Sequence, residues 1–269
     1  MTPDDVQRLE ASHVLQTYRR APIVLTRGQG IFIYDEEGQQ YTDLISGIGV
    51  ASLGHSHPAL IAAITDQART LLHTSNLFFH PLQGQLARQL ADLSGLSRTF
   101  FCNSGGEAVE ACLKFARRHW HTRGDEKRTE IIALEHSFHG RTFGALSTTS
   151  SEAYRAPFQP LLPGVQFIPV TVDALRAVVS SSTQAIIVEP IQGEGGIRPL
   201  PRAFAQALTE VCASSETLLI ADEVQCGLGR TGKPFYYQEL GLQPDLVAIG
   251  KALGGGVPVG AARRQRRSR

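Results

Sequence analysis

Several features are missing from this sequence, and each absence removes a class of protein. No run approaches the ~18 to 20 consecutive apolar residues of a membrane-spanning helix. At 269 residues and 42% hydrophobic the chain has the make-up of an ordinary globular protein. No basic, apolar leader opens it: Met1-Thr2-Pro3-Asp4-Asp5 has acids where a secretory signal has bases. The four cysteines, Cys102, Cys112, Cys212 and Cys226, show neither metal-ligand spacing nor a secreted disulfide framework. A cytoplasmic protein with no bound metal and no membrane partner is therefore expected. A strong net charge is also lacking. The value is +1, and five arginines fall in the last seven positions, so the rest of the chain is mildly acidic. Such an arginine-rich end suits nucleic acid or an anionic surface, the competing reading of a basic interaction tail, but its context points elsewhere, and no nucleic-acid partner is expected.

From about Ser97 onward, short apolar runs alternate with amphipathic stretches. The strand candidates are Thr99–Cys102, Ile131–Leu134, Val165–Pro169, Ala185–Val188, Leu218–Ala221 and Leu246–Ile249. They are continuous rather than alternating, as expected of parallel strands buried on both faces. Helix candidates at Glu107–Thr122, Val172–Ser180 and Pro201–Ala213 lie between them. The pattern predicts an α/β domain with a mostly parallel sheet, whose ligands sit at the carboxyl ends of the strands. Before it, helices are expected near Asp4–Gln16, Pro58–Leu72 and Pro81–Leu93, and a hairpin over Ile31–Leu44.

The strand ends carry the chemistry. Lys251 follows the Leu246–Ile249 run and precedes Gly254, Gly255 and Gly256. A poorly solvated lysine there loses its proton more readily than a surface lysine, as a Schiff-base amine must. Alone, it reads more readily as a packed stem whose ammonium reaches water. Asp222 ends the Leu218–Ala221 run. Ser104, Gly105 and Gly106 join a strand to a helix, where unpaired amides suit a phosphate, although an ordinary capped helix has the same look. Phe138 and Arg141, in Glu135–Thr142, offer an aromatic face and a cation that can grip a carboxylate. Glu189-Pro190-Ile191-Gln192-Gly193-Glu194 brings carboxylates to the same rim. A phosphate cradle, a Schiff-base lysine and an aspartate for a pyridinium nitrogen together meet the needs of pyridoxal phosphate. Two other patterns are set aside. Gly227–Lys233 has the spacing of a nucleotide loop, but Pro234 stands where its Ser or Thr belongs. His136 and His139 lack the order of a helical zinc site.

The segments Leu53–Pro58, Asn103–Lys114, Ser137–Ser147, Glu189–Gly196, Asp222–Gly232 and Gly250–Ala261, in this order, resemble the class-III pyridoxal-phosphate-dependent aminotransferases. The likeness is strongest to the acetylornithine branch. It implies an aspartate aminotransferase-like, fold type I large domain over residues 51–262, and part of a small α+β domain over residues 1–50. It further implies a homodimer and amino-group transfer between N-acetylornithine and 2-oxoglutarate, with glutamate as the other product, in arginine biosynthesis. Ornithine, succinylornithine or γ-aminobutyrate would be the alternative donors. By this resemblance Lys251 holds the cofactor and moves the proton, and Asp222 keeps the pyridine nitrogen protonated. Phe138 and Val224 flank the ring and Gln225 reaches its hydroxyl. Ser104, Gly105 and Gly106 bind the phosphate, Arg141 holds a substrate carboxylate, and Glu194 is a switch residue.

The pattern departs from the family after Ala262. Residues 263–269 read as an aberrant arginine-rich tail, with the family's C-terminal small domain, its second carboxylate-binding arginine and its interface threonine missing. A truncated and inactive remnant is therefore a further expectation.

Overall fold

The computed structural model describes residues 1–265. The chain divides into two compact units, Met1–Phe78 and the part beginning at Phe79.

The first unit opens with helix α1 (Pro3–His13). Thr2 caps it reciprocally: the Asp5 amide donates to Thr2 Oγ1, and the Thr2 amide donates to Asp5 Oδ2. An antiparallel sheet follows, made of β1 (Leu25–Gln29), β2 (Phe32–Asp35) and β3 (Gln40–Thr42). The expected hairpin is its β2–β3 pair, in register from Phe32 opposite Thr42 to Tyr34 opposite Gln40. A single turn, α2 (Ser46–Gly49), and helix α3 (Pro58–Thr70) complete the unit. Asp43 accepts from the amides of Ile45 and Ser46 and sits 2.7 Å from His55 Nε2.

The second unit runs α4 (Pro81–Ser94), β4 (Arg98–Cys102), α5 (Gly105–Thr122), β5 (Glu130–Leu134), α6 (Phe143–Ser147), α7 (Glu152–Arg155) and β6 (Val165–Ile168). It continues through α8 (Val172–Val178), β7 (Thr183–Val188), the short pair β8 (Ile191–Gln192) and β9 (Arg198–Pro199), and α9 (Arg202–Ser215). The last elements are β10 (Leu218–Asp222), α10 (Tyr236–Glu239), β11 (Leu246–Ile249) and β12 (Gly260–Arg264). Seven strands form one sheet in the order β4-β12-β11-β10-β7-β5-β6. From β11 to β6 every pairing is parallel. Both faces of these strands are covered, so their sequences are apolar without alternation. Ile186 and Val188 enter one core cluster with Phe204 and Leu208 of α9, while Ala185 and Ile187 enter another with Val109 and Leu113 of α5.

Sequence reasoning found the six parallel-oriented strands to within two residues, but it did not find β12. This strand lies antiparallel between β4 and β11, with Arg263 opposite Thr99 on one side and Val247 on the other. A Gly-Ala-Ala segment has little strand preference of its own, and its place is set by two neighbours that need their ladders completed. Arg263 and Arg264, in the span expected as an aberrant arginine-rich tail, thus pair in the sheet; positions 266–269 lie outside the described residues. The division at Phe78 also differs from the boundary at residue 50 expected from the sequence.

Candidate active site

Three strand ends meet along this sheet's carboxyl edge. β11 leads through Gly250 to Lys251, whose φ of 45° lies in the left-handed region that an L-residue adopts at a cost. β10 ends at Asp222 and is followed by Val224 and Gln225. β4 leads into α5, capped by the Ser104 hydroxyl, which accepts from the Glu107 amide at 3.1 Å. Contact between the three is close. A Cβ on Gly105 would lie 2.5 Å from Val224 Cγ1, and one on Gly250 would lie 3.0 Å from the Gly105 Cα, so only glycine lets these turns meet.

A cavity of about 180 Å³ opens at this junction, lined by Lys251, Asp222, Val224, Gln225, Phe138 and Glu194, with Gly105 and Gly106 at the helix end. A second, larger cavity of about 620 Å³ shares Phe138 and Glu194 and adds Tyr154 and His136. Burial pushes the Lys251 amine below the usual lysine range, although Glu194, Asp222 and Glu189 nearby favour its charged form. Asp222 is buried and anchored by both oxygens. Oδ1 accepts from the Val224 amide at 3.0 Å, and Oδ2 lies 2.7 Å from His139 Nδ1. His139 is itself fixed through its amide, which donates to Thr149 Oγ1 at 2.9 Å. Gln225 Nε2 donates to Glu194 Oε1 at 3.3 Å.

The amides of Gly105 and Gly106 precede the first in-helix bond, from the Ala108 amide to the Ser104 carbonyl. They therefore have no intrahelical acceptor and lie at the positive end of an 18-residue helix. Arg141 is set further out. It is exposed, with its guanidinium 5.2 Å from the Tyr154 ring centroid and 5.9 Å from that of Phe138. Its loop is held by Glu110 Oε1, which accepts from the Thr142 hydroxyl and from the amides of Gly144 and Ala145.

The family description "Aminotransferase class-III" matches residues 14–267. The chain belongs to the class-III aminotransferases. The acetylornithine aminotransferase of Methanocaldococcus jannaschii is 45% identical over 254 residues, which cover 94% of this chain and 64% of that relative. The ornithine aminotransferase of Toxoplasma gondii, solved with pyridoxal phosphate at partial occupancy in its active site, superposes with a TM-score of 0.92 at 34% identity, covering 98% of this chain and 63% of that one. Acetylornithine aminotransferase from Elizabethkingia anophelis gives 0.84 at 33% identity, over 98% and 64% respectively. The chain thus spans a little under two thirds of the length of these class-III relatives.

The residues present fit the class-III cofactor. A glycine turn at a helix start suits a phosphate, a buried carboxylate suits a cationic ring nitrogen, and an amine with a lowered pKa suits a carbonyl. Two further residues were read from sequence only in passing, His139 in setting aside a zinc site and Glu189 as a carboxylate at the rim. His139 is the partner of Asp222, and Glu189 sits at the end of β7 with its carboxylate buried beside them. The signal for Glu189 was present: an acid closing a continuous apolar strand in Ile186-Ile187-Val188-Glu189 matches Ile220-Ala221-Asp222. The Gly227–Lys233 segment closes on itself, with the Leu228 amide donating to the Pro234 carbonyl at 2.6 Å.

Proposed function

We propose that this chain carries the cofactor site of a pyridoxal-phosphate-dependent aminotransferase that moves an amino group between N-acetylornithine and 2-oxoglutarate. What carries the reading is the meeting of Lys251 and Asp222 on one cavity, beside the amides that open α5. When bound, pyridoxal phosphate supplies an aldehyde for amines and an aromatic ring that draws electrons from the substrate carbon. Burial lowers the Lys251 amine against the pull of the neighbouring carboxylates, so it gives up its proton more readily than a surface lysine and would serve as the group that moves a proton at the substrate carbon. Asp222 would keep a proton on the ring nitrogen, and His139 keeps the Asp222 carboxylate oriented. Phe138 and Val224 would flank the ring, Gln225 would reach its hydroxyl, and Ser104, Gly105 and Gly106 would hold the phosphate. Arg141 takes a substrate carboxylate at the outer rim, and Glu194 faces the substrate side. On this reading residues 51–262 serve cofactor binding, residues 1–50 form part of a smaller domain, and the protein works as a cytoplasmic homodimer in arginine biosynthesis.

Acetylornithine as donor is favoured by the 45% identity to the Methanocaldococcus enzyme. Ornithine is the second reading, favoured by the TM-score of 0.92 to the Toxoplasma enzyme. The test begins with colour. Added pyridoxal phosphate should turn the protein yellow, borohydride should fix it to Lys251, and Lys251→Ala should abolish the attachment. Fixation on another lysine would remove Lys251 from its role. Glutamate formation assayed with acetylornithine and with ornithine then decides the donor.

A further inference from the structure

We propose that Glu189 is a positioning residue that ties the aromatic Phe138 and the Glu194 loop into one rigid wall of the site; the proposal rests on the pyridoxal phosphate reading above. Glu189 follows β7, which lies between β10 and β5 in the sheet. Its carboxylate therefore stands between the Asp222 strand and the strand that delivers Phe138. One oxygen, Oε1, accepts from the Phe138 amide at 2.8 Å; the other, Oε2, accepts from the Gly193 amide at 3.3 Å. The residue is buried, with 5% of its surface exposed, and it borders the cofactor cavity.

The chemistry of the group explains the choice of glutamate. Two N–H donors approach from different loops, and only a carboxylate offers an acceptor on both oxygens. A glutamine of the same shape would accept from one donor and turn its own NH₂ toward the other. Burying a carboxylate is costly, so a neutral isostere would be the less costly occupant if shape alone mattered.

The consequences spread along both loops. The Phe138 backbone is held by Glu189, and the next amide, that of His139, is held by Thr149 Oγ1. The aromatic ring thus extends from a backbone pinned at two successive positions. Gly193 is packed against Gln225, where an added Cβ would lie 1.2 Å from Gln225 Oε1. Gln225 in turn donates to Glu194. Moving Gly193 would therefore shift Gln225 and Glu194 together.

Hydrogen exchange on the cofactor-free protein tests this directly. In the wild type the Phe138 and Gly193 amides should exchange slowly, within about tenfold of the β7 amides; rates typical of open loops would overturn the proposal even if no variant folded. Glu189→Gln should speed at least one of the two amides about tenfold or more, the loss of one charge-assisted hydrogen bond. Glu189→Ala should speed both, with Ile187 and Ala221 unchanged. After pyridoxal phosphate is added, Glu189→Gln should keep the borohydride attachment to Lys251. It should also lose half or more of the circular dichroism induced in the bound chromophore. Wild-type exchange and dichroism in Glu189→Gln would refute the role, as would a uniform rise in exchange across the sheet. If the wild type took up no cofactor, the reading of the site would fail, and the exchange measurements would still decide the role of Glu189.

Discussion

The two units of this chain are held by different forces. In Met1–Phe78 not one residue is buried; Leu44 is 89% exposed, Leu72 80% and Leu77 85%. In the second unit Ile186, Ile187 and Val188 are fully buried, and α5 alone buries eight residues. The first unit takes its shape from local hydrogen bonds: a capping box, a tight hairpin and the Asp43–His55 pair. The second takes its shape from non-local burial, each large apolar side chain contributing about 1.5 to 3 kcal/mol. Regular secondary structure is present in both, so its presence says little about how firmly a region is held.

The largest expected effect tests this contrast with one kind of substitution. Ile187→Ala should cost about 2 to 5 kcal/mol in urea unfolding, because it leaves a cavity between sheet and helix. Ile45→Ala, at a position 70% exposed, should change the same quantity by less than about 0.5 kcal/mol. Equal costs would mean that the first unit has a core in solution that the structure does not show.

Acid should act on the two units with opposite sign. Burial raises the Glu223 carboxyl from 4.5 to about 7, more than the amide of Tyr237 and the thiol of Cys226 lower it. The folded chain keeps this proton between those two values while the unfolded chain has released it. The contribution to stability is therefore complete below pH 4.5 and is lost as pH rises toward 7, by on the order of 3 kcal/mol. Asp43 behaves in reverse. Its carboxyl is held below 3.8, first by the His55 hydrogen bond and then by the Ser46 amide. Its contribution is present above pH 3.8 and is lost as pH falls through the folded value. Unfolding followed from pH 4.5 to 7 should show stability falling, and Glu223→Gln should flatten that slope. Protection of the Ser46 amide, its exchange measured against that of an unstructured amide at the same pH, should fall on the acid side, below pH 3.8. A Glu223→Gln variant with an unchanged slope would break the comparison.

Much of the second unit was legible because its strands are both apolar and terminated by chemically distinctive residues. The runs ending at Asp222 and at Ile249, before Lys251, announced both their burial and the edge on which the site lies. Phe138 stood out as an aromatic after a strand, but its expected role, like those of Val224 and Gln225, came only from family resemblance, since none of these residue types specifies a role at a strand end. β12 was hidden because Gly260, Ala261 and Ala262 carry no pattern; its position comes from β4 and β11. His139 escaped because its partner, Asp222, is 83 residues away along the chain. No spacing rule connects two groups brought together by sheet order. The helices and the hairpin of the first unit were legible from turns and caps, but its lack of buried residues was not, because exposure is a property of the surroundings.

The same contrast makes Arg263 stand out. It is fully buried in the unit built on apolar contacts. Nη1 donates to Thr99 Oγ1 and to the Ala87 carbonyl, while Nε and Nη2 have no hydrogen-bond partner among the described residues. A buried charge with incomplete hydrogen bonding is often less favourable than an apolar side chain of similar volume. Arg263→Met is expected to stabilise the second unit by about 1 to 3 kcal/mol in urea unfolding. A loss of stability would show that the guanidinium is satisfied in solution by groups outside the structure.

The smallest effect compares one device used in both units. Thr2 caps α1 and Ser104 caps α5, each accepting from the amide three residues on. Replacing either by alanine removes a bond worth about 1 kcal/mol to its helix. What differs is how far that loss travels. α5 is packed along the sheet through Val109, Leu113 and Ala116, so it cannot fray without opening the core. Ser104→Ala should therefore lower the stability of the whole second unit by about 1 kcal/mol. α1 buries no residue, and its ends can open alone. Thr2→Ala should speed amide exchange in the first turn of α1 about fivefold, the same energy expressed locally, and leave the urea midpoint of the second unit unchanged. A shift of that midpoint by Thr2→Ala would show that the two units unfold as one.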